Sequence, residues 1–141
     1  MSLCRKPAER AEMLTEVPFF DGFGADEILR VVELTDEVLI PAGSVVVDQG
    51  DPGTDCYVIL DGTASVYVRG DHVASSGPGS MVGEMALVDH RPRTATVVAD
   101  TDLDMLRFNS EAFRKLLEEM PKASERIMTA LRARLNRLGT I

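Results

Sequence analysis

The chain has 141 residues, a formal net charge of -8 and 45% hydrophobic residues, which is typical of one globular domain that can bury its own core. Acidic side chains dominate up to residue 110 and basic ones after it. We therefore expect the body of the protein to repel nucleic acid and make no direct contact with it. No apolar run reaches the ~20 residues that span a bilayer, so we expect no membrane insertion by this chain.

The residues that carry most enzyme and metal chemistry are sparse. Cys4 and Cys56 lack Cys-x-x-Cys spacing, which predicts neither a disulfide framework nor a zinc site and favours a reducing, cytoplasmic location. His72 and His90 do not form a His-x-His cluster. No Ser/His/Asp or Cys/His set has supporting context, so we expect no catalytic activity, no metal and no cofactor.

The chain begins with helical patterns. Residues 7–14 are good helix formers with a proline at their start. Pro18 interrupts this pattern and an aromatic cluster follows, made of Phe19, Phe20 and Phe23. Residues 25–35 carry apolar side chains at helical spacing and predict a second short amphipathic helix.

From Asp36 the pattern changes to short β-branched runs bounded by turn residues. The predicted strands are residues 38–40, 45–47, 57–60, 64–68, 97–99 and 103–108. Asp61-Gly62 predicts a hairpin turn, and Gly70-Asp71 and Gly77-Pro78-Gly79 predict two more turns. Turn signals recurring every ~8–12 residues favour a sandwich or barrel over a parallel sheet.

Two helices are predicted at the end of the sequence. Ser110 has the character of an N-cap, and Pro121 starts a helix that runs to about Leu138. Apolar residues at 128, 131, 135 and 138 form a short a/d seam of two heptads at most. This seam leaves two alternatives open, a helix that packs on its own barrel and a helix that pairs with a second copy.

The segment VGEMALVDHRPRTATV, residues 82–97, predicts a binding site. Gly83 followed by helix formers marks a helix start, whose free N–H groups attract anions. Arg93, after Pro92, can turn inward and bind a phosphate through its planar fork. Glu84 is a poor neighbour for phosphate but accepts hydrogen bonds from sugar hydroxyls. A ligand that satisfies both side chains is a nucleotide.

The segment VGEMALVDHRPRTATVVA resembles the phosphate-binding cassette of cyclic-nucleotide-binding domains: Gly-Glu-x-Ala-Leu, a short gap, then Pro-Arg-(Ser/Thr/Ala)-Ala-(Thr/Ser)-Val. The segment VVDQGDPGTDCYVILDG, residues 46–62, resembles the family's strand-turn-strand signature. Two motifs in the right order make the resemblance specific, and it covers roughly Phe19 to Leu138. The sequence departs from the family pattern in the Asp89-His90-Arg91 segment, where many members have a glycine-containing turn.

The resemblance implies an α+β fold: an eight-stranded antiparallel, jelly-roll-like β-roll flanked by N-terminal helices and two C-terminal helices. We expect a single domain over residues 1–141. Its parts would be N-terminal helices in 5–35, the β-roll in 36–109 with the cassette at 82–97, and C-terminal helices in 110–138.

The resemblance also implies roles for individual residues. Glu84 would accept a hydrogen bond from the ribose 2′-hydroxyl, and Arg93 would bind the exocyclic oxygens of the cyclic phosphate. Thr94 would add a side-chain contact. The full candidate set is Val82, Gly83, Glu84, Met85, Ala86, Arg93, Thr94 and Ala95. A lid over the base, if present, would come from Leu131, Arg132, Arg134 and Leu135.

The implied function is a non-catalytic cyclic-nucleotide sensor that signals through movement of its C-terminal helix. We favour cAMP, although Thr94 keeps cGMP open because cGMP-selective members use a threonine after the arginine. One alternative is a degenerate fold that acts as an interaction or homodimerisation domain through the apolar stripe of residues 128–138. Another is a fragment of a larger regulator, channel or transporter. A separate, purely structural interpretation pairs Glu84 and Arg93 with each other.

Overall fold

A computed structural model of the chain describes residues 6–50, 55–83 and 95–137, with the backbone alone for residues 130–137. The helices are α1 (Pro7–Leu14), α2 (Ala25–Leu34), α3 (Ser110–Glu119) and α4 (Pro121–Arg137), with a short 3-10 helix at Pro18–Phe20. The strands are β1 (Asp36–Ile40), β2 (Val45–Val47), β3 (Asp55–Asp61), β4 (Ala64–Val68), β5 (Asp71–Ser76), β6 (Met81–Val82), β7 (Thr96–Ala99) and β8 (Leu103–Asn109).

The described strands form two four-stranded sheets. Sheet one has the order β1-β8-β3-β6 and sheet two the order β2-β7-β4-β5. Every neighbouring pair in both sheets is antiparallel. The predicted α+β class, an antiparallel β-roll flanked by helices, is confirmed.

The two central strands of sheet one, β8 and β3, are buried on both faces. Alternate residues of a strand point to opposite faces, and in β3 and β8 both sets are buried. One face fills the roll interior with sheet two, where the buried residues are Val47, Ile59, Ala64, Val82, Val97, Ala99, Leu103 and Met105. The other face packs against the helices through Cys56, Val58, Leu60, Leu106 and Phe108. This explains why these strands read as nearly continuous apolar runs.

The predicted aromatic cluster sits where the helices meet. Phe20 is fully buried and makes edge-to-face contacts with Phe19 and Phe23, with ring centroids 5.1 and 5.3 Å apart. Such contacts add to the hydrophobic burial of the rings. Phe20 belongs to the same core cluster as the buried residues of α2, α3 and α4, so the cluster joins the N-terminal helices to the C-terminal ones.

The strand registers give the roll two distinct ends. At the Gly62 end, the connections β1–β2, β3–β4, β5–β6 and β7–β8 cross between the sheets. At the Thr96 end, the connections β2–β3 and β6–β7 cross, and the β4–β5 turn stays within sheet two. Strand β8 also leads into α3 at the Thr96 end.

Two turn predictions need correction. Asp61-Gly62 is a turn, but β3 and β4 belong to different sheets, so the hairpin prediction was wrong. The turn crosses between the sheets because it packs against the β7–β8 turn, where the Thr63 N–H donates to Thr101 Oγ1 at 3.0 Å. The turn predicted at Gly70-Asp71 lies at Arg69-Gly70, because Asp71 already pairs with Val68 as the first residue of β5.

The N-cap of α3 is Asn109 rather than the predicted Ser110. The Asn109 side chain accepts a hydrogen bond from the Ala112 N–H at 2.8 Å, and Ser110 is the first helical residue. Both residue types cap helices well. Asn109 is the N-cap because it is the last residue of β8 and still has the extended backbone that a cap requires.

Within the described residues, no helix combines the length and the apolar character needed to cross a membrane.

Replacing Gly62 by alanine should destabilise the fold strongly. Gly62 has φ +97°, and an added Cβ would lie 2.3 Å from the Asp102 carbonyl oxygen. We expect a loss of about 2–4 kcal/mol in the free energy of unfolding, measured by denaturant titration. Gly70→Ala is the matched control, because Gly70 has φ +84° with nothing near the added Cβ. It should lose only about 1 kcal/mol. Equal losses in the two variants would contradict the close approach at Gly62.

Candidate functional site

The predicted binding segment connects the two sheets at the Thr96 end of the roll. It leaves sheet one after β6 and enters sheet two at β7. Val82 is 5% exposed and pairs with Tyr57 of β3, and Thr96 pairs with Tyr67 of β4. Both ends of the segment are therefore fixed by antiparallel pairing to a different sheet.

The structure describes three of the eight predicted ligand residues. Val82 lies in the roll interior, Gly83 forms a bend with φ +86°, and Ala95 is half-buried just before β7. The left-handed backbone at Gly83 favours glycine, because a side chain there is strained. The other five predicted ligand residues lie outside the described residues, as does the predicted helix start after Gly83: Glu84, Met85, Ala86, Arg93 and Thr94.

At the Thr96 end, the inner face of sheet one carries a polar pair, Arg107 and Asp36, that was not predicted from the sequence. Tyr57 is the register partner of both Val82 and Arg107, so the three side chains share one face. The Arg107 guanidinium donates to the Asp36 carboxylate at 3.1 Å. This hydrogen bond raises the pKa of Arg107 above its usual value. The pairing joins residues 71 positions apart, so no local pattern could have indicated it.

Sheet two supplies an apolar surface opposite this pair. Val47 and Val97 are buried in the roll interior, and Val66 packs against them. They are adjacent in register across β2, β7 and β4. A flat apolar surface of this kind suits a base or a ribose ring, whereas the polar pair opposite suits hydroxyl or phosphate groups.

A cavity of about 300 Å³ lies at the opposite end of the roll. Its lining includes three carboxylate residues, Asp61, Asp102 and Asp104. Negative charge of this density repels phosphate, so this cavity does not suit the predicted ligand. Among the residues that the structure describes, no group of three His, Cys, Asp or Glu side chains is placed to hold a metal ion.

A partly exposed ion pair links the end of helix α3 to α2, whose buried faces share one hydrophobic core. The Arg30 guanidinium donates two hydrogen bonds to the Glu119 carboxylate, at 2.8 and 2.9 Å. These bonds hold the pKa of Glu119 below its usual value and raise that of Arg30. The pair fixes the end of α3, and α4 starts two residues after Glu119.

The start of α4 is held by two cations around Phe23. Lys122 Nζ donates to the Gly22 carbonyl and to Glu27, at 3.0 and 3.2 Å. Arg126 donates to the Phe19 carbonyl and lies 5.2 Å from the centre of the Phe23 ring. These contacts fix the first two turns of α4 to the aromatic cluster, where a cation over an aromatic ring is stabilising.

The side of α4 that faces the core is the one carrying Ala123 and Ile127, both buried. Met128, the first residue of the predicted seam, is 43% exposed and does not join that side. The four predicted lid residues lie on the last turns of α4, where the structure gives the backbone alone: Leu131, Arg132, Arg134 and Leu135.

Comparison with known proteins points to one family. The cyclic nucleotide-binding domain family matches residues 37–120. A cAMP-dependent protein kinase regulatory subunit from Aspergillus niger is 34% identical over 106 residues, which cover 74% of this chain and 26% of that protein. A cyclic nucleotide-gated potassium channel from Rhizobium etli is 32% identical over 124 residues, which cover 87% of this chain and 35% of the channel.

The fold is also similar to a solved structure, that of the Thermus thermophilus catabolite activator protein. The TM-score is 0.79 with 28% sequence identity, over 86% of this chain and 59% of that one. The chain spans 26% and 35% of the two curated relatives named above. The resemblance drawn from the two sequence motifs is confirmed by these matches.

The Arg30–Glu119 pair predicts a pH-dependent contribution to stability. A folded-state pKa below the unfolded value means that the contribution is present at neutral pH and is lost as the pH falls through the folded pKa, which lies below the ordinary glutamate value. Glu119→Gln should therefore lower the denaturation midpoint at neutral pH, and its difference from the wild type should close in acid.

Glu118→Gln is the matched control for this prediction, because Glu118 pairs with Arg114 inside α3 and not with α2. The control should change the midpoint less than Glu119→Gln at neutral pH. A Glu119→Gln difference that stays constant down to about pH 3 would contradict the assigned role of the carboxylate.

Proposed function

Because the chain belongs to the cyclic nucleotide-binding domain family, we propose that it is a sensor module that binds a cyclic nucleotide. The observation that carries the proposal is the cassette sequence of residues 82–97, which connects the two sheets at the Thr96 end. A cyclic nucleotide presents one phosphate and one ribose hydroxyl close together. These are the two groups for which the cassette offers Arg93 and Glu84.

The proposed contacts with the ligand are of three kinds: charged side chains, backbone groups and an apolar surface. Arg93 binds the exocyclic phosphate oxygens and Glu84 accepts from the ribose 2′-hydroxyl. Backbone groups of Gly83, Met85 and Ala86 line the phosphate side, with Thr94 adding a hydroxyl. Val82 and Ala95 flank these groups. The apolar surface of sheet two supports the flat rings of the ligand.

An anionic ligand is compatible with the acidic character of the chain only if its charge is compensated locally. The net charge of -8 repels a phosphate at long range. Charge-assisted hydrogen bonds contribute about 1.5–3 kcal/mol each, and an arginine fork can make two of them to one phosphate. Affinity should therefore depend strongly on the single arginine.

We favour cAMP as the ligand. The Aspergillus niger relative is named as a cAMP-dependent regulatory subunit, and the Thermus thermophilus protein is a catabolite activator. Thr94 follows Arg93 directly and offers a hydroxyl to a guanine base, so cGMP is the competing ligand. The named relatives are regulatory proteins and channels, which supports a module without catalytic activity of its own.

Helix α4 is the proposed output element. Its first two turns are held by Lys122 and Arg126, whereas its last turns carry the proposed lid residues Leu131, Arg132, Arg134 and Leu135. A ligand shifts such a helix only if it binds more tightly to one of two helix positions. Contact between the lid residues and the base would supply this difference in affinity.

A second candidate function is homodimerisation through α4. Met128 is exposed and begins the apolar spacing 128, 131, 135 and 138. An exposed apolar residue at the start of such a spacing favours pairing with a second helix. The chain would then be an interaction domain that keeps the fold without the ligand, or part of a larger regulator or channel.

Arg93→Leu should abolish most of the nucleotide affinity. We expect calorimetry to show binding of cAMP to the wild type and an affinity at least about 100-fold weaker for Arg93→Leu, because two charge-assisted hydrogen bonds are lost. Arg91→Leu is the matched control: it removes the same charge two residues away and should change affinity by less than about threefold. Absence of binding of both cAMP and cGMP to the wild type would overturn the proposed function.

The dimer alternative makes a separate prediction. It requires light scattering to show a dimer that forms equally with and without cAMP. Met128→Glu should convert this dimer to a monomer, because a charge would be buried between helices. Thr129→Glu places the same charge one position along and should leave the dimer intact. A monomeric wild type would contradict the alternative.

A further inference from the structure

The three chain connections at the Thr96 end are joined by one hydrogen-bond network, the Thr96 network of Asp48, Gln49, Arg69 and Thr96. Thr96 Oγ1 donates to Asp48 Oδ1 at 2.8 Å and accepts from the Gln49 N–H at 2.9 Å. Gln49 Oε1 in turn accepts from the Arg69 N–H at 2.9 Å. The network thus links the start of the β2–β3 connection, the β4–β5 turn and the first residue of β7.

The geometry at Thr96 leaves its hydroxyl little freedom. One hydroxyl has a single hydrogen to donate, and here it is directed at Asp48 while the oxygen accepts from a backbone N–H. The side chain therefore fixes the backbone of Gln49 relative to the start of β7. Gln49 then fixes Arg69, which has the only positive φ, +54°, among the non-glycine residues that the structure describes.

The surroundings of the network argue against a large contribution to global stability. Asp48, Gln49 and Arg69 are exposed and Thr96 is half-buried, so water competes for each of these hydrogen bonds. None of the four belongs to either core cluster. Strand pairing already joins β7 to β2 and to β4, and the network adds side-chain links from Thr96 to Gln49 of the β2–β3 connection and on to Arg69 of the β4–β5 turn.

We propose that Thr96 is a positioning residue for nucleotide binding, an inference that rests on the proposed function. Thr96 follows Arg93 by three residues, which limits their Cα separation to about 11 Å. The network, together with the pairing of Thr96 to Tyr67, holds the start of β7 in place and therefore restricts where the arginine can lie. Restricting a binding group before the ligand arrives reduces the entropy lost on binding, which strengthens affinity without a new contact.

The test compares three variants by cAMP calorimetry and thermal melting. Thr96→Val keeps the shape of the side chain and removes the hydroxyl, and Thr96→Ser keeps the hydroxyl. Thr101→Val is the matched control, since the Thr101 hydroxyl also accepts a backbone N–H, from Thr63 at 3.0 Å, but at the opposite end of the roll. We expect Thr96→Val to bind cAMP about tenfold more weakly and Thr96→Ser to stay within about twofold of the wild type.

Thr101→Val should lower the melting temperature about as much as Thr96→Val and leave affinity unchanged. Amide hydrogen exchange of the ligand-free protein adds a readout that needs no nucleotide, because Thr96→Val should speed exchange at Gln49 and Arg69.

Equal cAMP affinity of wild type and Thr96→Val would overturn the positioning role alone. Equal loss of affinity in Thr96→Val and Thr101→Val would also overturn it, by showing a general effect of stability. A wild type that binds neither cAMP nor cGMP would overturn the proposed function, and the positioning role with it.

Discussion

The constraint on which the structure depends is the burial of strands β3 and β8 of sheet one on both faces. Strands β3 and β8 contribute one set of side chains to the roll interior and the alternate set to the helices. Removing either layer would expose a full apolar face to water, at a cost of about 25 cal/mol per Å². The helices are therefore part of the same packed unit as the roll, and a shift of the helices changes their packing against sheet one.

The two ends of the roll differ in how the chain crosses between the sheets. At the Gly62 end the β3–β4 and β7–β8 turns are in direct contact, and Gly62 approaches the Asp102 carbonyl too closely for any side chain. At the Thr96 end the crossing connections are longer, and side-chain hydrogen bonds link Asp48, Gln49, Arg69 and Thr96 next to the ends of the paired strands. Longer connections on a rigid scaffold are where proteins place binding groups. The cassette sequence lies at that end, which agrees with this principle.

Much of the fold could be predicted from the sequence, because strands and turns depend on local patterns, whereas the ligand residues of the site stay a prediction. The β-branched runs and turn residues favoured a sandwich or barrel, the family resemblance implied the β-roll, and the cassette residues predicted the ligand class. The contacts that fix the helices and the strand connections relative to one another join residues that are far apart in the sequence. Arg30 and Glu119 are 89 residues apart and Asp48 and Thr96 are 48 apart, so no window of sequence contains either pair. The choice of Asn109 over Ser110 as N-cap also depends on where β8 ends, which is set by pairing with β3.

A ligand bound at the Thr96 end should change the backbone dynamics near its site, and the backbone amides along the chain can be examined for this change. The most direct measurement is amide hydrogen exchange with and without saturating cAMP. Binding at the cassette predicts slower exchange from Val82 to Thr96 and at Gln49 and Arg69, with the amides of Gly43 and Thr63 at the Gly62 end unchanged. No change on addition of either cAMP or cGMP, or protection confined to the Gly62 end, would contradict a cyclic-nucleotide site in the cassette.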